Sequence, residues 1–305
     1  MDDVLAGRVE KFRRRSGGDA FLRWVLPLLV QSTATYPLPA EEPPDKSGYT
    51  LFNPVPRELM RPMSLDRPDK TESPFTVDAG HFQLEMDLVN YAHDRESERG
   101  VQLTTDAFAI APMNWKAGLA NRVDFQVVAQ TFNHLRIEDS AGQVESQSGF
   151  GDVLTRLKIN LWGNDGGPTA LAVMPYVVWP TSQNGLGAET VQGGIIVPFA
   201  ADLPAGWGLG MMTEFDFGRA ETATEVAASF VNTITVGRDI VGPLAGYVEF
   251  FSEVSTEADT PWIGTVDFGL TYAVSENLMF DVGINFGVTR SAPDFNPFLG
   301  LAYRF

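Results

Sequence analysis

The stretch N-P-F-L-G-L-A-Y-R-F, Asn296 to Phe305, alternates between two sets of side chains. One set consists of Leu299, Leu301, Tyr303 and Phe305. The intervening positions hold Phe298, Gly300, Ala302 and Arg304. A period of two is the pattern of a β-strand, because successive side chains of a strand point to opposite faces. We therefore predict a strand that continues to Phe305 and has one apolar face.

The same alternation returns along the chain from His81 onward. In HFQLEMDL, residues 81–88, apolar side chains alternate with Gln83, Glu85 and Asp87. Five further segments repeat the pattern: 122–131, 152–162, 207–217, 262–272 and 278–288. The chain as a whole predicts twelve strands, near 81–93, 101–111, 117–130, 150–162, 169–179, 190–201, 207–218, 227–238, 244–254, 262–273, 278–290 and 297–305. The strands with the least regular alternation are those near 101–111, 169–179 and 227–238.

The lengths of these strands and of their connections indicate the class of fold. Most strands have 9–14 residues, whereas soluble strands have about 5–6 and tilted membrane strands about 9–11. Short connections (PMNWK, GNDGGP, DLPAG, DIVGP, VSEN) follow even-numbered strands, and long ones such as TFNHLRIEDSAGQVESQS follow odd-numbered strands. Outer-membrane barrels have short periplasmic turns and long external loops. We predict an all-β fold, a transmembrane up-and-down antiparallel β-barrel of about 12 strands formed by residues 81–305.

In such a barrel the apolar faces meet lipid, because a charge at the midplane costs about 2–4 kcal/mol. The polar faces then line the lumen, where the selectivity candidates are Glu85, Asp87, Arg122, Asp124, Arg156, Lys158, Glu214, Asp216, Glu249, Asp267 and Asp281. Two interfacial girdles are expected from Trp115, Trp162, Trp179, Trp207, Trp262, Tyr272 and Phe305. A soluble up-and-down barrel with its apolar residues inside would show the same alternation inverted, and it is the alternative.

Composition narrows the class of protein further. The 305 residues carry a formal net charge of -17, so nucleic acid, which is bound through clustered Lys and Arg, is not an expected partner. The chain has no cysteine, which excludes disulfides and cysteine-based metal sites or nucleophiles. No run of 18 apolar residues predicts a transmembrane helix. No cofactor or metal is expected.

Two segments precede the predicted barrel. Residues 1–34 are predicted to be a signal peptide, with arginines at 13–15, the apolar stretch WVLPLLV at 24–30 and a cleavage site after Ala34. The alternative is a short amphipathic helix at a soluble N-terminus. Residues 35–80 are rich in proline and charge and lack periodicity, which predicts an irregular periplasmic segment or a partial plug.

The charged stretch DRPDKTESPF, residues 66–75, lies just before the first predicted strand. Its candidate plug residues are Asp66, Arg67, Asp69 and Glu72. Pro68 and Pro74 disfavour a place inside a sheet, because proline cannot donate a backbone hydrogen bond.

We expect this stretch to fold back into the lumen. Arg67 would then pair bidentately with an inward carboxylate such as Asp281 or Glu85. Its aspartates would meet Arg156 or Lys158. A solvated linker is the alternative.

Two stretches resemble a known family. LDRPDKTESPFTVDAGHFQLEMDL, residues 65–88, contains Asp-Arg-Pro-Asp, Thr-Glu-Ser-Pro and a Gly-His-Phe-Gln-x-Glu strand. GFGDVLTRLKINLWGNDGG, residues 149–167, contains Gly-x-Gly-Asp, an inward lysine and a Leu-Trp-Gly-Asn turn. Both resemble the bacterial outer-membrane β-barrel transporter family named for the MetA pathway of phenol degradation, over roughly residues 65–305. Lys70 departs from the family, where an aromatic residue is more usual at this place.

The resemblance implies a channel for small organic compounds. Our leading interpretation is an outer-membrane channel for passive diffusion of small compounds, aromatic or hydrophobic ones among them, and not an enzyme. The alternatives are a structural or adhesive outer-membrane barrel without an open pore, and an outer-membrane hydrolase. The hydrolase would use His93 or His134, beside Asp94 and Asp139, but no nucleophile motif accompanies them. The inward charges would tune the pore or, alternatively, pair with one another across strands.

The last strand suggests how the barrel is assembled. Leu301, Tyr303 and Phe305 resemble the insertion signal that the barrel-assembly machinery reads in the final strand of bacterial outer-membrane barrels. The expected partners are therefore outer-membrane lipid, that machinery during insertion, and a small-molecule solute.

Overall fold

The computed structural model describes residues 44–98, 101–219, 226–257 and 260–305. The predicted signal peptide, 1–34, and the first part of the segment 35–80 lie outside the described residues. Within the described ranges, no helix is both long enough and apolar enough to cross a membrane.

The described residues form one antiparallel sheet of fifteen strands. The strands are β1 (Phe82–Glu98), β2 (Val101–Ile110), β3 (Met113–Ala120), β4 (Val123–Ala129), β5 (Phe132–Asp139), β6 (Val144–Gly149), β7 (Val153–Trp162), β8 (Thr169–Trp179), β9 (Gln192–Leu203), β10 (Trp207–Arg219), β11 (Val226–Val241), β12 (Leu244–Ser255), β13 (Ile263–Ser275), β14 (Leu278–Gly287) and β15 (Phe295–Arg304). Two short 3-10 helices span Arg57–Leu59 and Pro204–Gly206. The sheet closes because β15 pairs with β1, from Gln83 opposite Arg304 to His93 opposite Phe295. Closure satisfies the backbone of every strand, as a membrane requires.

Three pairs of strands are halves of single barrel strands, so the closed barrel has twelve. The pairs are β2 with β3, β4 with β5, and β6 with β7. The first is interrupted at Ala111, which has a φ of 53°, and at Pro112, whose carbonyl oxygen accepts a hydrogen bond from the Asp87 backbone N–H at 3.1 Å. The prediction of an antiparallel barrel of twelve strands is confirmed.

The predicted bounds were wrong for the second to fourth barrel strands. PMNWK, predicted to be a turn, contains the first four residues of β3, and the turn lies at residues 121–122. The predicted long loop 131–148 forms most of β5 and β6. Its alternation is inverted, with Leu135 and Ile137 facing inward and buried, and Arg136 facing outward. We attribute the inversion to a position beyond the lipid, where an outward polar face is solvated.

The two ends of the barrel differ in the length of their connections. We call the end where β1 begins and β15 ends the terminus end, and the opposite end the loop end. Connections at the terminus end are as short as residues 242–243, where Gly242 has a φ of 55° that favours glycine in the turn. At the loop end the connection between β8 and β9 spans residues 180–191. The predicted alternation of lengths is confirmed from β7 onward.

The outer face of the barrel is apolar, as predicted. Val282 is 48% exposed, whereas its neighbour Asp281 on the opposite face is 2% exposed. The seven aromatic residues predicted to form girdles all lie on the surface, between 39% and 53% exposed. Their positions divide them between the terminus end, with Trp115, Trp162, Trp207, Tyr272 and Phe305, and the loop end, with Trp179 and Trp262.

The inner face has two levels. Inward side chains toward the terminus end are mostly polar or charged, whereas those toward the loop end include a buried apolar set beside charged and polar side chains such as Glu214, Asp216 and Asn296. The buried apolar set, which we call the apolar layer, consists of Val128, Leu154, Met174, Tyr176, Val178, Ala188, Ile196, Met212, Val231, Phe251, Ile263 and Ala292. Strands such as β8 are therefore apolar on both faces, which explains their irregular alternation.

Residues 60–80, which we call the inner segment, precede β1 and lie against the inward-facing side chains. Leu65 is fully buried, and the side chains from Asp66 to Pro74 are all buried. At the terminus end, Gly80 and Gly118 of β3 are joined by a backbone hydrogen bond of 2.9 Å. The segment thus runs along the inside of the barrel before the chain enters β1.

Candidate functional site

Between Asp66 and Glu72 the inner segment carries five charged residues into the barrel. The five, Asp66, Arg67, Asp69, Lys70 and Glu72, are each at most 6% exposed. Removing a charge from water costs several kcal/mol unless a partner of opposite sign compensates. Their partners therefore define the site.

Arg67 lies in a receptor built by three adjacent strands. Asp281 of β14 and Asp87 of β1 both lie opposite Gly300 of β15 in the sheet register. Arg67 donates from Nε and Nη2 to the two Asp281 carboxylate oxygens at 2.7 Å each, and from Nη2 to Asp87 Oδ1 at 2.5 Å. A β carbon at residue 300 would come within 1.9 Å of Arg67 Nη2, so glycine leaves the space that the guanidinium occupies. The predicted bidentate pairing with Asp281 is confirmed.

Asp66 lies on the other side of the lumen. It contacts the Nζ atoms of Lys116 on β3 and Lys158 on β7, and Arg156 Nη2 lies 3.6 Å from Asp66 Oδ2. The Asp66 backbone N–H donates to both oxygens of Glu85, at 2.9 and 3.0 Å. The predicted contacts of the segment aspartates with Arg156 and Lys158 are thus confirmed for Asp66.

Glu72 and Lys70 bind opposite sides as well. Arg156 Nη1 contacts Glu72 Oε1. Lys70 Nζ donates to Asp267 Oδ2 at 2.8 Å and to Thr265 Oγ1 at 2.7 Å. It also lies 4.6 Å from the centroid of the Phe251 ring, a cation–π distance. At the position where the family more usually has an aromatic residue, this chain places a cation that contacts an aromatic ring.

The lumen wall is polarised, and four of the five segment charges match it. The basic wall consists of Lys116, Arg156 and Lys158, on β3 and β7, and the carboxylates of Asp124 on β4 and Glu85 on β1 lie beside them. The acidic wall consists of Glu214, Asp216, Glu249, Asp267, Asp281 and Asp87, on β10 and on β12 to β1 around the barrel closure. The carboxylates of Asp66 and Glu72 meet the basic wall, whereas the cations of Arg67 and Lys70 meet the acidic wall. Alternation of charge along the segment therefore fixes its orientation in the barrel.

Most predicted lumen residues lie at this interface. Ten of the eleven are buried, at 9% exposure or less. Arg122 is the exception: it is exposed in the turn between β3 and β4, because β4 begins one residue later, at Val123. The prediction of a lumen position was wrong for Arg122.

Sequence reasoning missed Lys116 and Gly300. Lys116 was assigned to a turn, although Asn114, Lys116 and Gly118 alternate with apolar residues and could have shown an inward face. Gly300 was visible on the inner face of the last strand, but a glycine in a strand does not reveal which side chain approaches it.

A second polar cluster joins the segment to the turns at the terminus end. Arg61 Nη1 donates to Asn121 Oδ1 and to Asp165 Oδ1, both at 2.8 Å. Asn164 Oδ1 accepts the backbone N–H of Thr76 at 3.0 Å. Burial acts to raise the pKa of Asp165, but its bonds with Asn121 and Arg61 outweigh burial and hold the pKa below its usual value. The Leu-Trp-Gly-Asn turn is thus part of the contact with the inner segment.

The apolar layer is covered by two loops at the loop end. Ala188, in the connection between β8 and β9, and Ala292, between β14 and β15, are buried in it. Asp152 fixes the first of these loops by accepting the backbone N–H groups of Thr181 and Ser182, both at 3.0 Å. The Gly-x-Gly-Asp motif thus supplies the carboxylate that holds a loop over the lumen.

His93 and His134 lie on the outward face, away from the charged interface. His134 Nδ1 is 2.6 Å from Ser148 Oγ, and His93 Nδ1 is 2.8 Å from Asp106 Oδ1. These are two separate pairs, and the described contacts do not unite serine, histidine and carboxylate in one set. No three His, Asp or Glu side chains in the described ranges are arranged to hold a metal ion.

The sequence profile of the family described as "Putative MetA-pathway of phenol degradation" matches residues 65–305. The chain belongs to this family. The match begins at the inner segment and continues through β15, so it includes both sides of the charged interface. No curated protein is similar enough in sequence to match the chain.

Solved structures share the barrel. An outer membrane channel from Pseudomonas putida F1 superposes with a TM-score of 0.53 at 12% identity, over 79% of this chain and 99% of that one. The transport unit of the autotransporter AIDA-I from Escherichia coli gives a TM-score of 0.50 at 9% identity, over 74% and 90% of the two chains. These likenesses show that the fold is that of an outer-membrane β-barrel.

Proposed function

We propose that this protein is an outer-membrane channel through which small apolar organic compounds diffuse. The observation that carries the proposal is the apolar layer on the inner face toward the loop end. Met174 and Val178, inward on β8, are fully buried there. A porin for polar solutes needs a polar lumen, because a polar solute that leaves water without new hydrogen bonds loses free energy. An apolar compound gains about 25 cal/mol per Å² of surface removed from water.

The outer surface supports a place in the outer membrane. The apolar belt and its two aromatic girdles match the lipid-facing surface of membrane barrels. In this orientation the terminus end faces the periplasm and the loop end faces outward. The apolar layer would then be the part of the lumen that an incoming compound meets first, after the two covering loops.

The inner segment is proposed to act as a partial plug. Its charges meet partners on opposite walls, so it crosses the lumen on the periplasmic side of the apolar layer. The lumen candidates then act mainly as binding partners of the segment, and they set ion preference only where the segment leaves them free. A barrel without an open pore is the competing function, and it is favoured by the same ion pairs if the segment never moves.

The last strand is proposed to carry the assembly signal. Tyr303 and Phe305 face outward, 41% and 53% exposed, and Phe305 stacks on Trp115 with ring centroids 6.2 Å apart. Leu301 shares their face. An outward apolar face is available to the barrel-assembly machinery before it meets lipid.

Entry of the fluorescent apolar amine N-phenyl-1-naphthylamine into intact Gram-negative cells tests the proposed function. Cells that produce this protein should take up the probe faster than cells that lack it. Met174→Gln places a polar amide of similar length in the apolar layer and should slow entry. Met211→Gln changes an outward methionine that is 42% exposed and serves as the matched control.

Slower entry with Met174→Gln and unchanged entry with Met211→Gln, at equal levels of folded barrel, supports passage across the apolar layer. Equal entry in cells with and without the protein would refute the proposed function.

A further inference from the structure

One of the five buried charges between Asp66 and Glu72 faces a wall of its own sign. Asp69 is 1% exposed, and neither of its carboxylate oxygens accepts a hydrogen bond of ordinary geometry. The Thr235 hydroxyl of β11 and the Asp69 backbone N–H are the donors nearest to the carboxylate, and the Thr235 hydroxyl also lies 3.4 Å from the Val248 carbonyl oxygen. No lysine or arginine in the described part of the chain forms an ion pair with Asp69. Its four charged neighbours on the segment have such pairs.

The groups that face Asp69 are mostly acidic. Glu249 and Tyr247 come from β12, Asp267 from β13 and Glu72 from the segment itself. Tyr247 Oη and Asp267 Oδ1 also lack hydrogen-bond partners. The nearest cation in the sequence, Lys70, is engaged by Asp267 and Thr265. Asp69 is therefore a carboxylate buried against like charges.

The placement of Asp69 determines how its protonation affects binding of the segment. Burial raises the pKa of the Asp69 carboxyl, and the charges of Asp267 and Glu72 raise it further. A group whose pKa is higher when the segment is bound in the barrel than when it is released stabilises the bound state. This stabilisation is complete at pH values below the pKa of the released state. It is lost as the pH rises through the raised value. The ionised form of Asp69 therefore weakens the binding of the segment that the other four charges provide.

We propose that Asp69 is a proton-binding site that controls how tightly the barrel binds the inner segment. Binding is tighter when the carboxyl is protonated and weaker when it is ionised. Arg67 and Lys70 anchor the segment to the acidic wall, and Asp69 lies between them. Repulsion between ionised Asp69 and the acidic wall lowers the free energy needed to release the anchored segment. The inference rests on the proposed function, in which the segment obstructs the lumen.

The rate at which a buried thiol is labelled measures how tightly the barrel binds the segment. The chain has no cysteine, so Ser73→Cys places a single thiol in the segment, where Ser73 is 3% exposed. The purified full-length barrel is reacted with a membrane-impermeant maleimide at about pH 8 and about pH 5, on either side of the range in which a raised carboxyl titrates. Ser47→Cys, an exposed site before the segment, corrects for the intrinsic effect of pH on the thiol.

Asp69→Asn in the Ser73→Cys background should slow labelling at about pH 8 by about tenfold, the factor that corresponds to one pKa unit of differential binding. The difference should shrink at about pH 5, because protonated Asp69 and asparagine are both neutral. Asp66→Asn removes a partner of the basic wall and should instead speed labelling, which shows that the assay detects release.

Equal or faster labelling of Asp69→Asn at about pH 8, with heat-modifiability showing a folded barrel, would overturn the inference. The readout follows the segment and not the solute. Failure of the proposed function, in which no apolar compound enters, is therefore distinguishable from failure of the proton site.

Discussion

The guanidinium of Arg67 lies over Gly300, where a β carbon would come within 1.9 Å of Nη2. Asp281 and Asp87 flank this glycine on the neighbouring strands. A segment outside the sheet is thus bound by a row of three residues that the sheet register brings together. The absence of a side chain at residue 300 is as necessary to this receptor as the two carboxylates.

Gly300→Ala should displace Arg67 from its receptor. The buried carboxylates would lose their cation, and breaking a buried ion pair costs about 3–5 kcal/mol, so the free energy of unfolding should fall by up to this amount. Urea titration of the barrel in detergent measures it. Gly48→Ala is the control, because a β carbon there has no atom within 4 Å. Equal stability of the two variants would show that Arg67 can bind elsewhere.

Arg67 and Asp281 should be coupled energetically. Arg67→Met leaves Asp281 and Asp87 as a buried pair of like charges, and Asp281→Asn removes one of them. A double-mutant cycle should therefore give a coupling free energy in the range of about 0.5–3 kcal/mol. The measurement is the free energy of unfolding of both single variants and the double variant. Strict additivity of the two changes would mean that the ion pair does not contribute to stability.

Val282→Arg should destabilise the barrel by about 2–4 kcal/mol, the cost of a lipid-facing arginine near the midplane. Val282 lies in the middle of β14 and is 48% exposed. Val241→Arg, at the terminus end of β11, should cost only about 0–1 kcal/mol. Folding titrations into lipid vesicles compare the two. A larger cost at Val241 would show that Val241, and not Val282, lies near the midplane. Gly283 is unsuitable as an inward control, because a β carbon there would lie 2.3 Å from Phe298.

Asp165 should make the terminus-end cluster sensitive to acid. Its pKa is held below the usual value in the folded state, so it contributes stability above the unfolded pKa, and this is lost as the pH falls through the folded value. The melting temperature of Asp165→Asn should lie below that of the natural protein at neutral pH. The difference should close as the pH falls below about 4, where aspartates protonate. A difference that does not change with pH would exclude the ion pairs of Asp165 as its cause.

Strand alternation predicted the closed barrel and its two faces because lipid outside and a charged interior impose opposite preferences on successive residues. The signal failed where this contrast is lost. On β8, inward Met174 and Val178 are as apolar as a lipid-facing side chain. On β5, the outward Arg136 lies in a stretch whose alternation is inverted, so the pattern predicts a loop where the structure has a hairpin.

The charged interface was predictable in kind but not in detail. The alternating signs of Asp66, Arg67 and Lys70 indicate several buried partners, because an irregular segment with this pattern needs them if it is enclosed. The partners themselves depend on register between strands distant in sequence. Gly300 becomes part of the Arg67 receptor only because β15 pairs with both β14 and β1, a relationship that no local pattern contains.

Single-channel conductance in planar bilayers, with the full chain compared with a chain lacking residues 60–76, tests the central claim that the inner segment obstructs the lumen. Both barrels are first shown to be folded by heat-modifiability. Deletion removes the cations that pair with Asp87, Asp267 and Asp281, and it also removes Asp66 and Glu72 from the basic wall. The acidic wall then holds more charged groups than the basic wall, which favours cations. If the segment obstructs the lumen, the deleted chain has a larger conductance and a preference for cations. Unchanged conductance and unchanged ion preference, with the barrel intact, would contradict the claim and reduce the segment to a tether.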